Sequence, residues 1–112
     1  MGKESIAAAQ QRIDHMQKLY REWTQLLPKL EAAQAEWQRG IDIMRTLGEF
    51  YFGGEYLQLH EAIDAGLGVD LRTEGEYSVM SEDALWDAFH EQDRLAWQRL
   101  RSAIAVLDRQ GE

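Results

Sequence analysis

The chain has no cysteine, a single proline, no long apolar run and, through its middle, almost no positive charge. Without cysteine there is no disulfide, no thiolate nucleophile and no sulfur ligand for a metal. No apolar stretch approaches the ~18–20 residues of a membrane span, and the amino terminus lacks a signal-peptide pattern. A cytoplasmic protein with no membrane partner is the expectation. Also missing are a Gly-x-Ser-x-Gly turn, a glycine-rich phosphate loop with its lysine, and any Glu-x-x-His pair. These carry nucleophilic, nucleotide and di-metal chemistry respectively, so the chain reads as non-enzymatic, with no cofactor.

The near-absence of proline turns attention to what fills the chain. Ala, Gln, Glu, Arg and Leu dominate, and these side chains lose little freedom on a helix. With 45% apolar residues over 112 positions, the chain can pack a core and is not wholly disordered. A single all-α domain spanning 1–112, its helices packed as a bundle, is expected.

Charge is unevenly placed. Twelve acids lie between Glu49 and Asp93 against one base, Arg72, a net −11 within a total of −8, which leaves +3 for the two ends together. Such a segment repels nucleic acid and attracts basic partners. Its plain reading is a solvated surface that aids solubility. Its functional reading is a docking face built from Glu55, Glu61, Asp64, Asp70, Glu74, Glu76, Glu82, Asp83 and Asp87 for a protein with a basic surface. The bases are scattered and form no patch, so direct nucleic-acid binding is not expected.

From Ile6, steps of three and four reach Ala9, Ile13, Met16, Tyr20, Trp23, Leu27, Leu30, Gln34, Trp37, Ile41, Met44, Gly48 and Tyr51. Twelve of these fourteen positions are apolar or aromatic. That spacing lines one face of a helix, and a strict heptad marks supercoiled packing. Pro28 falls in mid-seam, where it costs a helix about 3 kcal/mol and favours a bend. Either one long helix kinks there, or a hairpin places Pro28 in the first turn of a second helix. The stretch 23–30 has no Gly, Asn or Asp to make a turn, and the heptad holds phase across it, so the kinked helix is favoured. Gln34, Gly40 and Gly48 are softer break points.

Gly53-Gly54 ends this helix. A short amphipathic helix is expected over Glu55–Ala65, stopped by Gly66. Residues 67–80 read as loop, with Tyr77–Met80 extended at most. Ser81-Glu82-Asp83 is a helix start, the serine capping and the carboxylates facing the positive end of the dipole. The last helix should run to about Arg109 and bury Leu85, Trp86, Phe89, Ala96, Trp97, Leu100, Ile104 and Leu107. A first helix over 4–52 would be about 73 Å long and the last about 43 Å. The remainder of one chain cannot cover a straight first helix, so a fold-back or a homodimer is expected.

His60 has Asp64 at i+4, and His90 has Asp87 at i−3 and Glu91 beside it. A carboxylate at such spacing shares a helical face with the histidine and could share a metal. Surface histidines beside ordinary acids are the simpler reading, and no metal site is assigned. Trp23, Trp37, Trp86 and Trp97 read first as core residues and second as interface anchors.

Phe50-Tyr51-Phe52-Gly53-Gly54-Glu55-Tyr56-Leu57, an acidic stretch, and then Ser78-Val79-Met80-Ser81-Glu82-Asp83-Ala84-Leu85-Trp86-Asp87 form a recognisable pattern. With Arg12-Ile13-Asp14-His15-Met16 near the start, it resembles the bacterial small-protein family catalogued as domain of unknown function 4298. The likeness covers about residues 12–100, and the Ser-Glu-Asp start is its most specific part. Gly54 stands where serine is usual, Gly68-Val69 where Leu-Pro is usual, and 73–77 looks longer. The resemblance implies a helical fold and a bacterial or phage origin, and no mechanism.

Three functions follow as expectations. The first is a protein-interaction or regulatory module. The second is a phage- or mobile-element-encoded inhibitor, anti-CRISPR-like, whose acidic middle occupies a basic nucleic-acid-binding surface. The third is a metal-dependent helical enzyme using Asp87, His90 and Glu91.

Overall fold

The computed structural model describes residues 2–110, and among these there are three helices and no strand. Helix α1 runs over Lys3–Phe52, α2 over Glu55–Asp64 and α3 over Ala84–Gln110. The chain divides into two compact units, Met1–Asp42 and Ile43–Glu112. Helix α1 is common to both.

Helix α1 is continuous through Pro28, Gln34, Gly40 and Gly48, so there is no hairpin. Position helps explain why the proline is tolerated. One residue past the seam residue Leu27, it lies off the apolar stripe, and the lost bond concerns only the carbonyl four residues back.

In the first unit every residue from Ser5 to Glu36 is exposed. The apolar stripe keeps large fractions of its surface, with Ile13 at 60%, Tyr20 at 62% and Trp23 at 49%. Leu19 and Leu26, each one residue before a seam position, are also exposed, so the stripe is three residues wide per heptad.

The second unit holds the core. Leu85 is the one buried hydrophobic residue described, and around it Leu47, Met44, Phe50, Tyr51, Tyr56, Ile63, Met80, Ala88 and Phe89 are half-buried. Rings clamp the helix ends together. Tyr51 lies 4.9 Å from Tyr56 and 5.6 Å from Phe89, while Phe52 lies 5.2 Å from Phe89. Edge-on and tilted contacts of this kind set the positive rim of one ring against the negative face of another. The Tyr56 hydroxyl donates to the Met80 carbonyl at 3.4 Å, tying α2 to the loop before α3.

Gly66 stops α2 as expected. It adopts φ 105, its amide donates to the Ile63 carbonyl and the Leu67 amide to that of Ala62. This is the paired closure of a Schellman motif, which needs a left-handed residue at that point. A Cβ there costs about 1–2 kcal/mol. Gly66→Ala is therefore expected to lower the thermal midpoint by several degrees, read by circular dichroism.

Two expectations for α3 are corrected. It starts at Ala84 and not at Ser81, with the Asp83 carbonyl accepting its first bond from the Asp87 amide. Ser81 sits in a turn, donating its amide to the Ser78 carbonyl. The hydroxyl that accepts an amide bond is that of Ser78, from Met80 at 3.1 Å. Tyr77–Met80 therefore leads into a turn. Burial along α3 also ends early. Trp86, Trp97, Leu100, Ile104 and Leu107 are exposed at 45–64%, and Ala96 is exposed too. Within the second unit, α2 and the 65–83 loop cover only the first turns of α3, where half-burial ends at Gln92.

Candidate functional site

The acidic middle folds around the small core of the second unit. All twelve carboxylates from Glu49 to Asp93 are exposed, as the cost of desolvating a charge dictates. The loop between α2 and α3 shapes some of them into grooves. The larger is about 590 Å³, with an apolar floor that includes Leu47, Leu71, Val79 and Leu85, and with Asp70 and Glu76 among its lining residues. A smaller one, about 330 Å³, carries Glu82, Asp83 and Asp87 beside Ser81 and Tyr77. Glu55 lines a third hollow with Glu49 and Phe50. Glu61 and Asp64 on α2, and Glu74 on the loop, line none of these three.

The single base of the segment is tied into the loop. Arg72 donates from Nε and Nη2 to the two carboxylate oxygens of Asp70, both at 3.0 Å, and its amide donates to Oδ1 at 2.9 Å. The planar guanidinium fits a carboxylate through two parallel bonds, a geometry lysine cannot supply. These bonds hold the Asp70 carboxyl below its ordinary value of 3.8 and raise the Arg72 guanidinium. A depressed carboxyl contributes to folded-state stability above its unfolded value and loses that contribution as pH falls through the folded value. The window thus lies below about pH 4. The pair is fully exposed, so its consequence is local order in the loop. Arg72→Ala is expected to move the Asp70 titration upward towards 3.8, measured by carboxyl carbon shifts in an NMR titration.

Tyr77, read from sequence only as part of a loop, is not among the expected site residues. At 87% exposed it is the most exposed large hydrophobic side chain described, and it lines both acidic grooves. An aromatic ring in a glycine- and acid-rich loop, off any helical period, is the signal that marks it.

Of the four tryptophans, Trp23, Trp86 and Trp97 are 49–52% exposed and Trp37 is half-buried, so the core reading fails for three. Trp86 packs edge-on to His90 at 4.5 Å, and Trp97 lies 5.8 Å below the Arg101 guanidinium. His60 Nδ1 lies 3.4 Å from Asp64 Oδ2 on the open face of α2. Among the described residues no three His, Asp or Glu side chains are placed to hold a metal, Asp87, His90 and Glu91 included. No described helix is long and apolar enough to cross a membrane.

Comparison with known proteins adds the family. The model of the domain of unknown function DUF4298 matches residues 13–102. No curated protein and no solved structure matches the chain. The chain belongs to the DUF4298 family.

Proposed function

We propose that the chain is a non-enzymatic, cytoplasmic protein–protein interaction module, with the apolar stripe of the first unit as its docking face. The observation that carries this reading is the exposure of that stripe, where Ile6, Ile13, Tyr20, Trp23 and Leu30 are each about half accessible or more. Isolated apolar residues are normal on a surface, but a continuous stripe of them favours burial by another molecule. Its heptad spacing selects a helical partner, since only a helix presents matching holes along the length of the stripe. Affinity purification from producing cells tests the reading, comparing the wild-type chain with Ile13→Lys/Leu27→Lys. A protein recovered with the first, an untagged copy of this chain included, and lost with the second is the expected result. Equal recovery with both, or recovery with neither, overturns it.

The second unit favours a further reading, as an inhibitor that covers a basic nucleic-acid-binding surface. Its support is the exposure of all twelve carboxylates. Binding to such a target should weaken steeply with salt, as exposed charges are screened beyond about 10 Å at 0.1 M. Salt-independent binding would remove this reading.

A further inference from the structure

We infer that the first unit pairs with a second copy of itself, antiparallel, about a two-fold axis level with the point between Arg21 and Glu22. The inference rests on the stripe being a docking face and names its occupant.

The first support is register. In an antiparallel pair centred there, seam position n faces position 43 − n of the other copy. Ile13 then meets Leu30, Met16 meets Leu27 and Tyr20 meets Trp23, each layer occurring twice. No charged or small residue falls in the seam from Ile13 to Leu30. A two-fold interface must be self-complementary in this way, each patch meeting its own image.

The flanks select the direction. Leu19 and Leu26 are the residues just before seam positions, and both are exposed, at 46% and 48%. In an antiparallel pair these flanks face one another, so Leu19 of one copy adjoins Leu26 of the other and the apolar stripe is closed. In a parallel pair they would face the opposite flank, where Thr24 and Glu31 stand.

Charge agrees. Residues 5–21 hold three bases (Arg12, Lys18, Arg21) and one acid (Asp14), a net +2, while residues 22–38 hold one base (Lys29) and three acids (Glu22, Glu31, Glu36), a net −2. The proposed register lays each +2 stretch along the −2 stretch of the other copy, twice per dimer. A parallel pair would set like against like. Opposed helix dipoles favour the same direction.

Area is sufficient. From Ile13 to Leu30 the stripe offers eight large apolar side chains, each 39–62% exposed, towards the ~800 Å² each partner contributes to a standard interface. The overlap stops before Ile43 and asks nothing of the second unit.

The absence of cysteine makes the test direct. Full-length Ile13→Cys, Leu30→Cys and the double variant are oxidised at micromolar concentration, and the mass of the wild-type chain is measured by light scattering. The expected result is twice the chain mass for wild type, a covalent dimer from the double variant and from a mixture of the two single variants, and none from either single variant alone. A single variant that cross-links to itself overturns the direction. A dimer mass without cross-linking in the double variant overturns the register. A monomeric wild type overturns the pairing itself, while the docking-face reading is judged separately by whether Ile13→Lys/Leu27→Lys loses its cellular partner.

Discussion

Leu85→Ala is expected to reduce the stability of the second unit by about 2–5 kcal/mol, the range for emptying a buried leucine site. Leu85 is 5% exposed, and no other buried hydrophobic residue is described that could share the loss. The side chain also forms part of the floor of the larger groove with Leu47, Val79 and Ala88. Its removal therefore opens a void where α1, the loop and α3 meet. Native proteins hold only about 5–15 kcal/mol in total, with small domains near the lower end. For a unit of this size each lost kcal/mol moves the midpoint by about 4–8 °C. The thermal midpoint followed by near-ultraviolet circular dichroism, which reports the Tyr51, Tyr56 and Phe89 rings among others, should fall by about 8 °C or more. Leu85→Met keeps the volume and should cost less than about 1.5 kcal/mol. If alanine and methionine behave alike, Leu85 does not hold the core.

Pro28→Ala acts in the opposite direction. Proline in a helix interior costs about 3 kcal/mol relative to alanine, through the missing amide and the clash of its ring with the carbonyl four residues back. Here that carbonyl belongs to Thr24, whose own hydroxyl donates to the Arg21 carbonyl at 2.7 Å. Alanine would restore the 28-to-24 bond on a face that carries none of the apolar stripe. Helix α1 should melt later, and the new amide at position 28 should be protected from hydrogen exchange. A lowered midpoint would mean that the proline's local geometry contributes to the folded state, for example by shaping the contact with a partner.

The helices were legible because their signals are local and repeat. Fourteen positions in heptad phase, from Ile6 to Tyr51, predict α1 to within three residues at its start and one at its end, and Gly66 predicts the end of α2 from one residue type. The family pattern, expected over about residues 12–100, matches over 13–102. Less legible was anything decided by which surfaces meet. Ser81 has the right composition for a cap, yet the turn made by Ser78 and Met80 takes the backbone elsewhere before α3 can begin. Trp86 and Trp97 share the apolar period of α3, but periodicity reports which face is apolar and not whether anything covers it. The ring cluster joins Tyr51 and Phe52 to Phe89 across more than thirty residues, a distance no windowed pattern spans. The Asp70–Arg72 fork is local, two residues apart, yet it too was unread, because in a loop no helical spacing says which acid a lone base will face. As for the candidate site, the acids were identified singly, while their sorting into grooves around Tyr77 depended on the loop.

That same fork has a consequence for how the molecule is cut. Between Arg45, inside α1, and Arg94, inside α3, Arg72 is the only lysine or arginine, and it stands on an exposed loop. A protease that cleaves after basic residues thus has one accessible bond in this whole stretch, and nicking there yields a piece carrying α1 and α2 and a piece carrying α3. The rings of Tyr51 and Phe52 against Phe89 lie on opposite sides of the nick. Those ring contacts are expected to hold the two pieces together after the nick, so that they run as one species on gel filtration and separate only in denaturant.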